Sequence, residues 1–255
     1  MITRKGKPVC TGVAIGRVFV YEKPNREVTN APAANTTAEW EKFLAAKAQA
    51  DTQLEGLYNK ALADMGAEHA EIFDVHRMML EDLDYLEAVE AVVKQEGINA
   101  AWAVSQTGRQ FSEVFSNMDD AYMQARAADV LDISNRLVEI LLGSQQSVVM
   151  DQPSIVVAED LTPSETVQLD KSKILAFVTR LGSANSHTAI LARTMNIPSV
   201  VQVDIPLHAT LAGKTMIVDG FTGVCYLYPD DDTLDAMWAK LQQDLENKKQ
   251  LEQMR

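Results

Sequence analysis

The chain has 255 residues, of which 47% are hydrophobic and 23% charged, and its formal net charge is −13. This length accommodates one large domain or two ordinary ones, and the composition is typical of a globular protein with a substantial core. The negative charge argues against a nucleic-acid backbone or an anionic membrane surface as the general partner, and it favours a partner with a basic face.

Cysteine usage and hydropathy indicate a cytoplasmic protein. Cys10 and Cys225 lie far apart without metal-site spacing, which leaves a disulfide or two reduced, packed thiols, and we favour the thiols. The first residues carry charge but no long apolar run, so we expect no signal peptide. No stretch approaches the ~20 apolar residues of a membrane span, so we expect no membrane partner.

The first segment predicts a strand followed by a linker. A Gly-Val-Ala-Ile-Gly stretch at 12–16 precedes Arg17–Tyr21, whose β-branched and aromatic residues favour a strand. Residues 23–35 are rich in Pro, Asn and Ala, a composition typical of a linker.

A long helical region follows. A capping-box pattern at Thr36–Glu39 and apolar residues at helical intervals predict a helix that continues to Met65. Further helical stretches with short connections are predicted at 68–80, 85–96, 98–118 and 121–142. This succession predicts an α-helical bundle, which we assign to residues 34–143.

From residue 148 the pattern changes to short strands, which predicts an α/β fold. Apolar segments that favour strands recur at 155–158, 174–178, 199–203, 215–218 and 223–228. Thr162 and Pro163 predict the start of a short helix. We expect the N-terminal strand to complete this domain, so that residues 1–30 and 146–230 form one α/β domain with the helical bundle inserted in it.

Residues 231–255 predict a charged amphipathic helix that reaches the last residue without a capping signal. We expect it to be a linker helix that leads toward a further domain of a longer protein.

The functional hypothesis depends on the stretch Gly182–Arg193. Asn185 and Ser186 are of residue types that cap helices, and the residues after His187 favour a helix. His187 is therefore predicted beside free backbone N–H groups and the positive end of a helix dipole, which suits a phosphoryl group on the imidazole. From these residues alone, a surface or capping histidine is the more common occupant of such a position.

Two signatures, Asp160–Thr166 and Ser186–Arg193, resemble the Enzyme I family, the phosphoenolpyruvate–protein phosphotransferases of the bacterial sugar phosphotransferase system. Further blocks are similar in the same order, namely the 12–16 opening and residues 71–82 and 126–133. The whole chain thus resembles the N-terminal half of that family. This implies an α/β phosphohistidine (swivelling) domain with a large inserted α-helical bundle, plus a C-terminal linker helix.

The resemblance also implies roles for individual residues. His187 would accept a phosphoryl group from phosphoenolpyruvate on the ring nitrogen farther from the backbone and pass it to a histidine of the small carrier protein HPr. Thr166 would hold the other ring nitrogen through its hydroxyl. Phosphoryl-stabilising roles are implied for Ser186, Thr188, Arg193 and Arg126.

Carrier recognition is expected on the helical bundle, where nine acidic residues between positions 64 and 90 accompany a single arginine, Arg77. Complementary charge would speed the encounter with a basic carrier, although a solvated helical face explains the same pattern. His76 shares a helix face with apolar residues, which also favours packing. The predicted partner contacts are Glu68, Glu71, His76, Glu81, Asp82 and Asp84.

Two departures from the family pattern have consequences. The common Gly-Gly-Arg-Thr-Ser form before the histidine is Gly-Ser-Ala-Asn-Ser at 182–186 here, so Ala184 removes a cation from the loop. The family's C-terminal barrel, which binds phosphoenolpyruvate and Mg²⁺ and forms the dimer interface, has no counterpart in this sequence. We therefore expect this chain to be mainly monomeric, without a metal, and to exchange phosphoryl groups with phospho-HPr without being charged by phosphoenolpyruvate. The full-length protein would be a Mg²⁺-dependent homodimer.

Two kinds of alternative stay open. The phosphohistidine domains of nitrogen-type phosphotransferases, phosphoenolpyruvate synthase and pyruvate-phosphate dikinase share the Ser-His-Thr pattern, although the inserted helices favour Enzyme I. A non-catalytic helical adaptor that binds HPr without turnover belongs to a different class. The presence of both His187 and Thr166 argues against the adaptor.

Overall fold

The computed structural model describes residues 1–24, 26–144, 148–184 and 186–253. The chain divides into two compact units, which we call the α/β unit (Met1–Glu22 and Val148–Arg255) and the helical unit (Lys23–Ser147). The boundary after Glu22 lies earlier than the one we predicted, because the linker associates with the helices. The helix predicted as a separate linker after residue 231 is part of the α/β unit.

A single eight-stranded sheet organises the described part of the α/β unit. Its strands are β1 (Ile2–Lys5), β2 (Lys7–Cys10), β3 (Val13–Val20), β4 (Ser154–Ala158), β5 (Ile174–Thr179), β6 (Ser199–Val201), β7 (Thr215–Asp219) and β8 (Val224–Leu227). The strand order is β1-β8-β7-β3-β4-β5-β6-β2. The neighbours from β3 to β6 pair in parallel, and the other pairs are antiparallel.

The two terminal strands of this order are consecutive in the chain, separated only by Gly6. Because β1 pairs with β8 and β2 pairs with β6, the sheet closes on itself as a barrel. The Gly6 amide donates to the Gly223 carbonyl at 2.9 Å. A Cβ at Gly6 would lie 2.5 Å from the Val201 carbonyl oxygen, so only glycine fits at this junction. We missed both strands in the sequence because most of their residues are polar or exposed.

The core of the barrel comes from alternate residues of its strands, as the two-residue period of a strand requires. Gly16 leaves room in β3 for the partly buried Leu175, since a Cβ there would lie 2.5 Å from Leu175 Cδ1. The buried members of this core are Ala14, Val18, Ile155, Val157, Ala176, Val178, Val200, Val203, Ile205, Leu211, Met216, Val218, Cys225 and Leu227.

The described residues of the α/β unit include the helices α6 (Pro163–Gln168), α7 (His187–Thr194) and α8 (Asp231–Gln253). Two short 3-10 helices lie at Lys171–Lys173 and Ala209–Leu211. Met237 of α8 packs against Val13 and Ile217. Lys240 Nζ lies 2.6 Å from Asp219 Oδ2 and ties the same helix to the end of β7.

The helical unit confirms the predicted bundle. It contains α1 (Thr36–Met65), α2 (Ala67–Leu80), α3 (Leu83–Lys94), α4 (Ala100–Ser116) and α5 (Ala121–Leu142). The start of α1 differs from the prediction, because Asn35 is the capping residue and accepts from the Ala38 amide at 3.1 Å. Glu39, predicted as part of a capping box, instead accepts from the Ala100 amide at the start of α4, at 3.0 Å. The Glu39 carboxylate thus connects α1 to the start of α4 and does not complete the predicted capping box.

The structure also shows the state of the two cysteines and the apolar character of the described helices. Cys10 and Cys225 are both buried and free, as we favoured over a disulfide. Among the described helices, none has the length and apolar character needed to cross a membrane.

Candidate functional site

The loop after β5 and the first turn of α7 form the candidate site. Ser186 is the capping residue of α7, and its Oγ accepts from the Ala189 amide at 3.3 Å. His187 is the first residue of the helix and is partly buried. This confirms the predicted position of the histidine, where the first helical amides lack intrahelical acceptors and the dipole is positive. The other predicted capping residue, Asn185, lies outside the described residues.

The amides at this helix start are not equivalent. The sequence predicted free backbone N–H groups at this helix start, but the Ala189 amide is already bonded to Ser186 Oγ. The amide of Thr188 precedes it in the same turn, where helical amides lack intrahelical acceptors. The Thr188 side chain is fully buried, and its Oγ1 has no hydrogen-bond partner in the described part of the chain. A buried hydroxyl without a partner is unusual in folded proteins and requires an explanation.

The loop before His187 is fixed at its carbonyl groups. Gly182 adopts a positive φ of 95°, a conformation that favours glycine, and its carbonyl accepts from Gln202 Nε2 at 2.9 Å. The Ala184 carbonyl accepts from Arg193 Nη1 at 2.7 Å. Arg193, predicted to stabilise phosphoryl oxygens, therefore holds the loop through its backbone. Ala184, whose side chain removes a cation from the loop, thus helps to hold that loop through its backbone carbonyl.

Thr166 lies on α6, which packs against α7. This short helix is fixed by a full capping box, in which Thr162 Oγ1 and the Glu165 carboxylate each accept from the other residue's amide. Thr166 is buried, and its hydroxyl donates to the Pro163 carbonyl at 2.7 Å. Because a hydroxyl has one hydrogen, Thr166 Oγ1 can make further bonds only as an acceptor. It can therefore receive an imidazole N–H but cannot donate to an imidazole lone pair.

The predicted partner residues on α2 and α3 differ in their surroundings. Glu68, Glu71 and Asp84 are exposed. Glu81 is also exposed but forms an ion pair with Lys47 of α1. Asp82 is the capping residue of α3 and accepts from the Tyr85 amide at 2.9 Å. Two of the acidic residues therefore stabilise the helices as well as contributing negative charge.

His76 does not reach the surface. Its exposed fraction is 0%, and its Nε2 lies 3.3 Å from Asp129 Oδ1. The prediction that His76 contacts a partner is wrong, since a side chain buried within the bundle has no access to another protein. The alternative, packing on the apolar face of α2, is the one the structure supports.

The sequence did not indicate that the acidic surface has an apolar centre. Met78 and Leu83, at the ends of α2 and α3, are 71% and 72% exposed. Nearby is a shallow groove lined by Met79, Asp82, Tyr85, Phe111, Phe115, Val130 and Ile133. Exposed apolar side chains within a polar rim are typical of protein interfaces.

Arg126 belongs to the helical unit and lies on α5. Its Nη1 is 3.2 Å from Asp129 Oδ2, its Nη2 donates to the Tyr122 hydroxyl, and the guanidinium lies 4.6 Å from the centre of the Tyr122 ring. The structure thus groups Arg126 with the acidic helices. The other predicted site residues, His187, Thr166, Ser186, Thr188 and Arg193, belong to the α/β unit.

Two families match successive parts of the sequence. Residues 5–126 match the N-terminal family of PEP-utilising enzymes, and residues 150–223 match the mobile domain of PEP-utilising enzymes. The phosphoenolpyruvate-protein phosphotransferase of Staphylococcus carnosus is 34% identical over 98% of this chain and 44% of its own length. Those of Lactococcus lactis subsp. lactis and Bacillus subtilis are 36% and 33% identical over 89% and 93% of this chain. The chain spans about two fifths of the length of these curated relatives, 40% to 44%.

Two solved structures share the fold over almost the whole chain. A solution NMR structure of Enzyme I has 34% identity and a TM-score of 0.79, covering 94% of this chain and 98% of the other. The N-terminal domain of a nitrogen Enzyme 1 has 27% identity and a TM-score of 0.61, covering 92% and 98%. The first is the more similar of the two in both sequence and structure.

Proposed function

The chain belongs to the Enzyme I family of phosphoenolpyruvate-protein phosphotransferases, and we propose that it serves as the N-terminal part of such an enzyme by carrying a phosphoryl group on His187. The observation that carries this proposal is the position of His187 as the first residue of α7, capped by Ser186 and adjacent to the helix that holds Thr166. Because relatives are more than twice as long, the activity of the whole protein is inferred from the family.

The proposed reaction exchanges a phosphoryl group between two imidazoles. The lone pair of His187 Nε2 attacks the phosphorus of the carrier's phosphohistidine, forming one P–N bond as the other breaks, and the carrier histidine leaves with its electron pair. The attacking nitrogen must carry a lone pair, so the hydrogen of a neutral ring lies on Nδ1. Thr166 Oγ1, limited to accepting, would receive this N–H and so select the reactive tautomer.

The helix start supplies the groups that would stabilise the phosphohistidine. The amide of Thr188 offers a donor beside the positive end of the dipole. The buried Thr188 hydroxyl, without a partner in the described structure, is a second candidate donor. Arg193 would act indirectly by fixing the Ala184 carbonyl, and the loop presents no arginine of its own at position 184.

The proposed phosphoryl partner is the carrier protein HPr, docked on the helical unit. Its basic face would meet the exposed carboxylates of Glu68, Glu71 and Asp84, while Met78 and Leu83 supply apolar contact. Arg126 would lie near the transferring group. A cytoplasmic location and a role in sugar uptake through the phosphotransferase system belong to the same proposal.

Phosphoenolpyruvate and Mg²⁺ enter this proposal only through the C-terminal barrel that the family implies. Within the described ranges, no cluster of three or more His, Cys, Asp or Glu side chains could hold a metal ion. We assign no step on this chain to the metal. We propose that the chain by itself is mainly monomeric and exchanges phosphoryl groups with phospho-HPr alone, and that the full-length enzyme is a homodimer.

The experiment is intact-mass analysis after incubation with phospho-HPr. We expect one added phosphoryl group that is lost in acid and survives alkali, and that is absent in His187→Ala. The matched control is His208→Ala, which removes another histidine of the same unit, an exposed one, and should label normally. Binding of HPr without labelling would favour the adaptor. Labelling of His187→Ala would refute the assignment of the nucleophile.

A second measurement separates the sugar-type and nitrogen-type alternatives. The higher identity and TM-score of the Enzyme I structure favour the sugar type. We expect faster labelling from sugar-type phospho-HPr than from a nitrogen-type phosphocarrier at equal concentration. The reverse order would reassign the partner while leaving the phosphohistidine intact.

A further inference from the structure

Two buried side chains, Asp129 of α5 and His76 of α2, connect Arg126 to the interior of the bundle. Asp129 is one helical turn after Arg126, and its Oδ2 lies 3.2 Å from Arg126 Nη1. The other oxygen, Oδ1, lies 3.3 Å from His76 Nε2. His76 is fully buried, and Asp129 is 5% exposed. One carboxylate thus connects the guanidinium to the interior of the bundle.

The second nitrogen of His76 shows how the ring is oriented. Nδ1 has no hydrogen-bond partner in the described structure and lies 3.7 Å from Asp132 Oδ2, beyond hydrogen-bonding distance. Nε2 is therefore the nitrogen that donates to Asp129. The Phe73 ring lies nearly perpendicular to the imidazole, with 6.0 Å between the two ring centres. His76 is a fixed donor to Asp129.

This arrangement changes how Arg126 is held. An arginine and a carboxylate commonly pair through two parallel hydrogen bonds, which occupy both oxygens. Here His76 occupies one oxygen, so Arg126 contacts Asp129 through Nη1 alone. Nη2 bonds the Tyr122 hydroxyl, and Tyr122 is itself 64% exposed. The guanidinium is oriented at two points, while its remaining N–H groups stay available to another anion.

We propose that Asp129 and His76 are positioning residues that aim Arg126 at the phosphoryl group of a carrier docked on the helical unit. The inference rests on the proposed function, because it concerns the efficiency of that transfer. A flexible arginine loses conformational freedom when it binds a phosphoryl group, and prior orientation removes that entropic cost. One contact to Asp129 and one to Tyr122 achieve this without consuming the remaining donors that the phosphoryl oxygens need.

The test is single-turnover transfer from phospho-HPr to the 255-residue chain at a series of carrier concentrations. Asp129→Asn should lower the rate at saturation about tenfold, since misplacement of a charged group by about 1 Å costs up to 100-fold. The carrier concentration at half-saturation should change less than about twofold. Arg126→Gln should lower the saturating rate at least as much, and the double variant should be no slower than Arg126→Gln alone.

The control and rescue variants separate positioning from folding. Asp51→Asn breaks another aspartate–arginine pair of the helical unit, in which Asp51 Oδ1 lies 2.7 Å from Arg77 Nε, and it should leave the saturating rate unchanged. His76→Gln keeps a donor near the position of Nε2 and should retain most of the rate. His76→Leu removes that donor and should match Asp129→Asn.

Each outcome decides between the two proposals. Absence of transfer by the unaltered chain would refute the proposed function and this inference with it. Transfer by the unaltered chain, with multiplicative losses in the double variant, would refute only the positioning role. Equal rates for His76→Gln and His76→Leu would refute the proposal that His76 positions Arg126 by donating to Asp129, whatever the thermal stability of either variant.

Discussion

Gly6→Ala tests whether closure of the barrel depends on the junction between β1 and β2. A Cβ at this position would lie 2.5 Å from the Val201 carbonyl oxygen and 2.6 Å from Val203 Cγ2. Backbone cannot move aside as a flexible side chain can, so the strand itself must shift. Overpacking of this kind costs about 1–3 kcal/mol, and weakening the bond from the Gly6 amide to Gly223 adds about 1 kcal/mol. We expect the free energy of unfolding of the α/β unit to fall by about 2–4 kcal/mol.

The assay is urea unfolding followed by pulsed hydrogen exchange and peptide mass spectrometry, which reports on the two units separately. A loss of about 2–4 kcal/mol corresponds to roughly a 30- to 1000-fold change in the unfolding equilibrium. The matched control is Gly56→Ala in α1, where nothing lies within 4 Å of the added Cβ, and which should stabilise the helical unit by up to about 1 kcal/mol. If Gly6→Ala changes the α/β unit by less than about 0.5 kcal/mol, the closure argument is wrong.

Four further predictions address the site and its support. Thr166→Ala should slow transfer from phospho-HPr about tenfold while leaving calorimetric binding of unphosphorylated HPr unchanged, and Thr166→Ser should restore it; if binding falls as well, Thr166 is structural. Arg193→Met should speed hydrogen exchange in the loop before His187, because the Ala184 carbonyl loses its donor, and unchanged exchange would contradict the holding role. Burial opposes ionisation of Asp219, but hydrogen bonds, led by that from Lys240, outweigh it and lower the pKa of this carboxyl. The ionised Asp219 carboxylate therefore stabilises the fold above the ordinary aspartate pKa, and this stabilisation is lost as the pH falls. Lys240→Met should reduce the acid dependence of thermal unfolding. An unaltered pH profile in this variant would contradict the role of Lys240. Burial also raises the pKa of Cys225 to about 12, so this thiol should react with a disulfide reagent at pH 8 only when the barrel opens, and rapid native labelling would disprove its burial.

The sequence predicted the helices and the inner strands well because their patterns are strong. The bundle has apolar residues at helical intervals, and the strand at Ile174–Thr179 is almost continuously apolar and almost wholly buried. The strands at Ile2–Lys5 and Lys7–Cys10 escaped prediction because only pairing with β8 and β6 makes them strands. Glu39 shows the same limit, since its partner is an amide distant in the sequence. Local sequence patterns are enough to predict helices and strands. Hydrogen bonds between residues distant in the sequence can be identified only once the fold is known.

For the site, residue type and helix capping were enough to place His187, and the family resemblance supplied Thr166. Residue type and family resemblance could not show that His76 is buried, because an amphipathic pattern does not determine how much of a side chain is exposed to solvent. Arg193 illustrates a different difficulty, since its carbonyl partner belongs to a loop whose conformation no pattern specifies. The spacing of three residues between Arg126 and Asp129 predicts an ion pair on one helix face. Only the structure shows that Asp129 also contacts His76.

The pairing of β1 with β8 also sets an order of events during synthesis. Ile2 pairs with Leu227, so the first strand must wait for more than two hundred residues to be made before it finds its partner. Helices α1 to α5 belong to one compact unit, Lys23–Ser147, which can fold while later parts of the chain are still being synthesised. Loop closure over so long a separation is slow compared with helix formation. The emerging protein therefore presents a folded helical unit before the barrel that bears His187 can close.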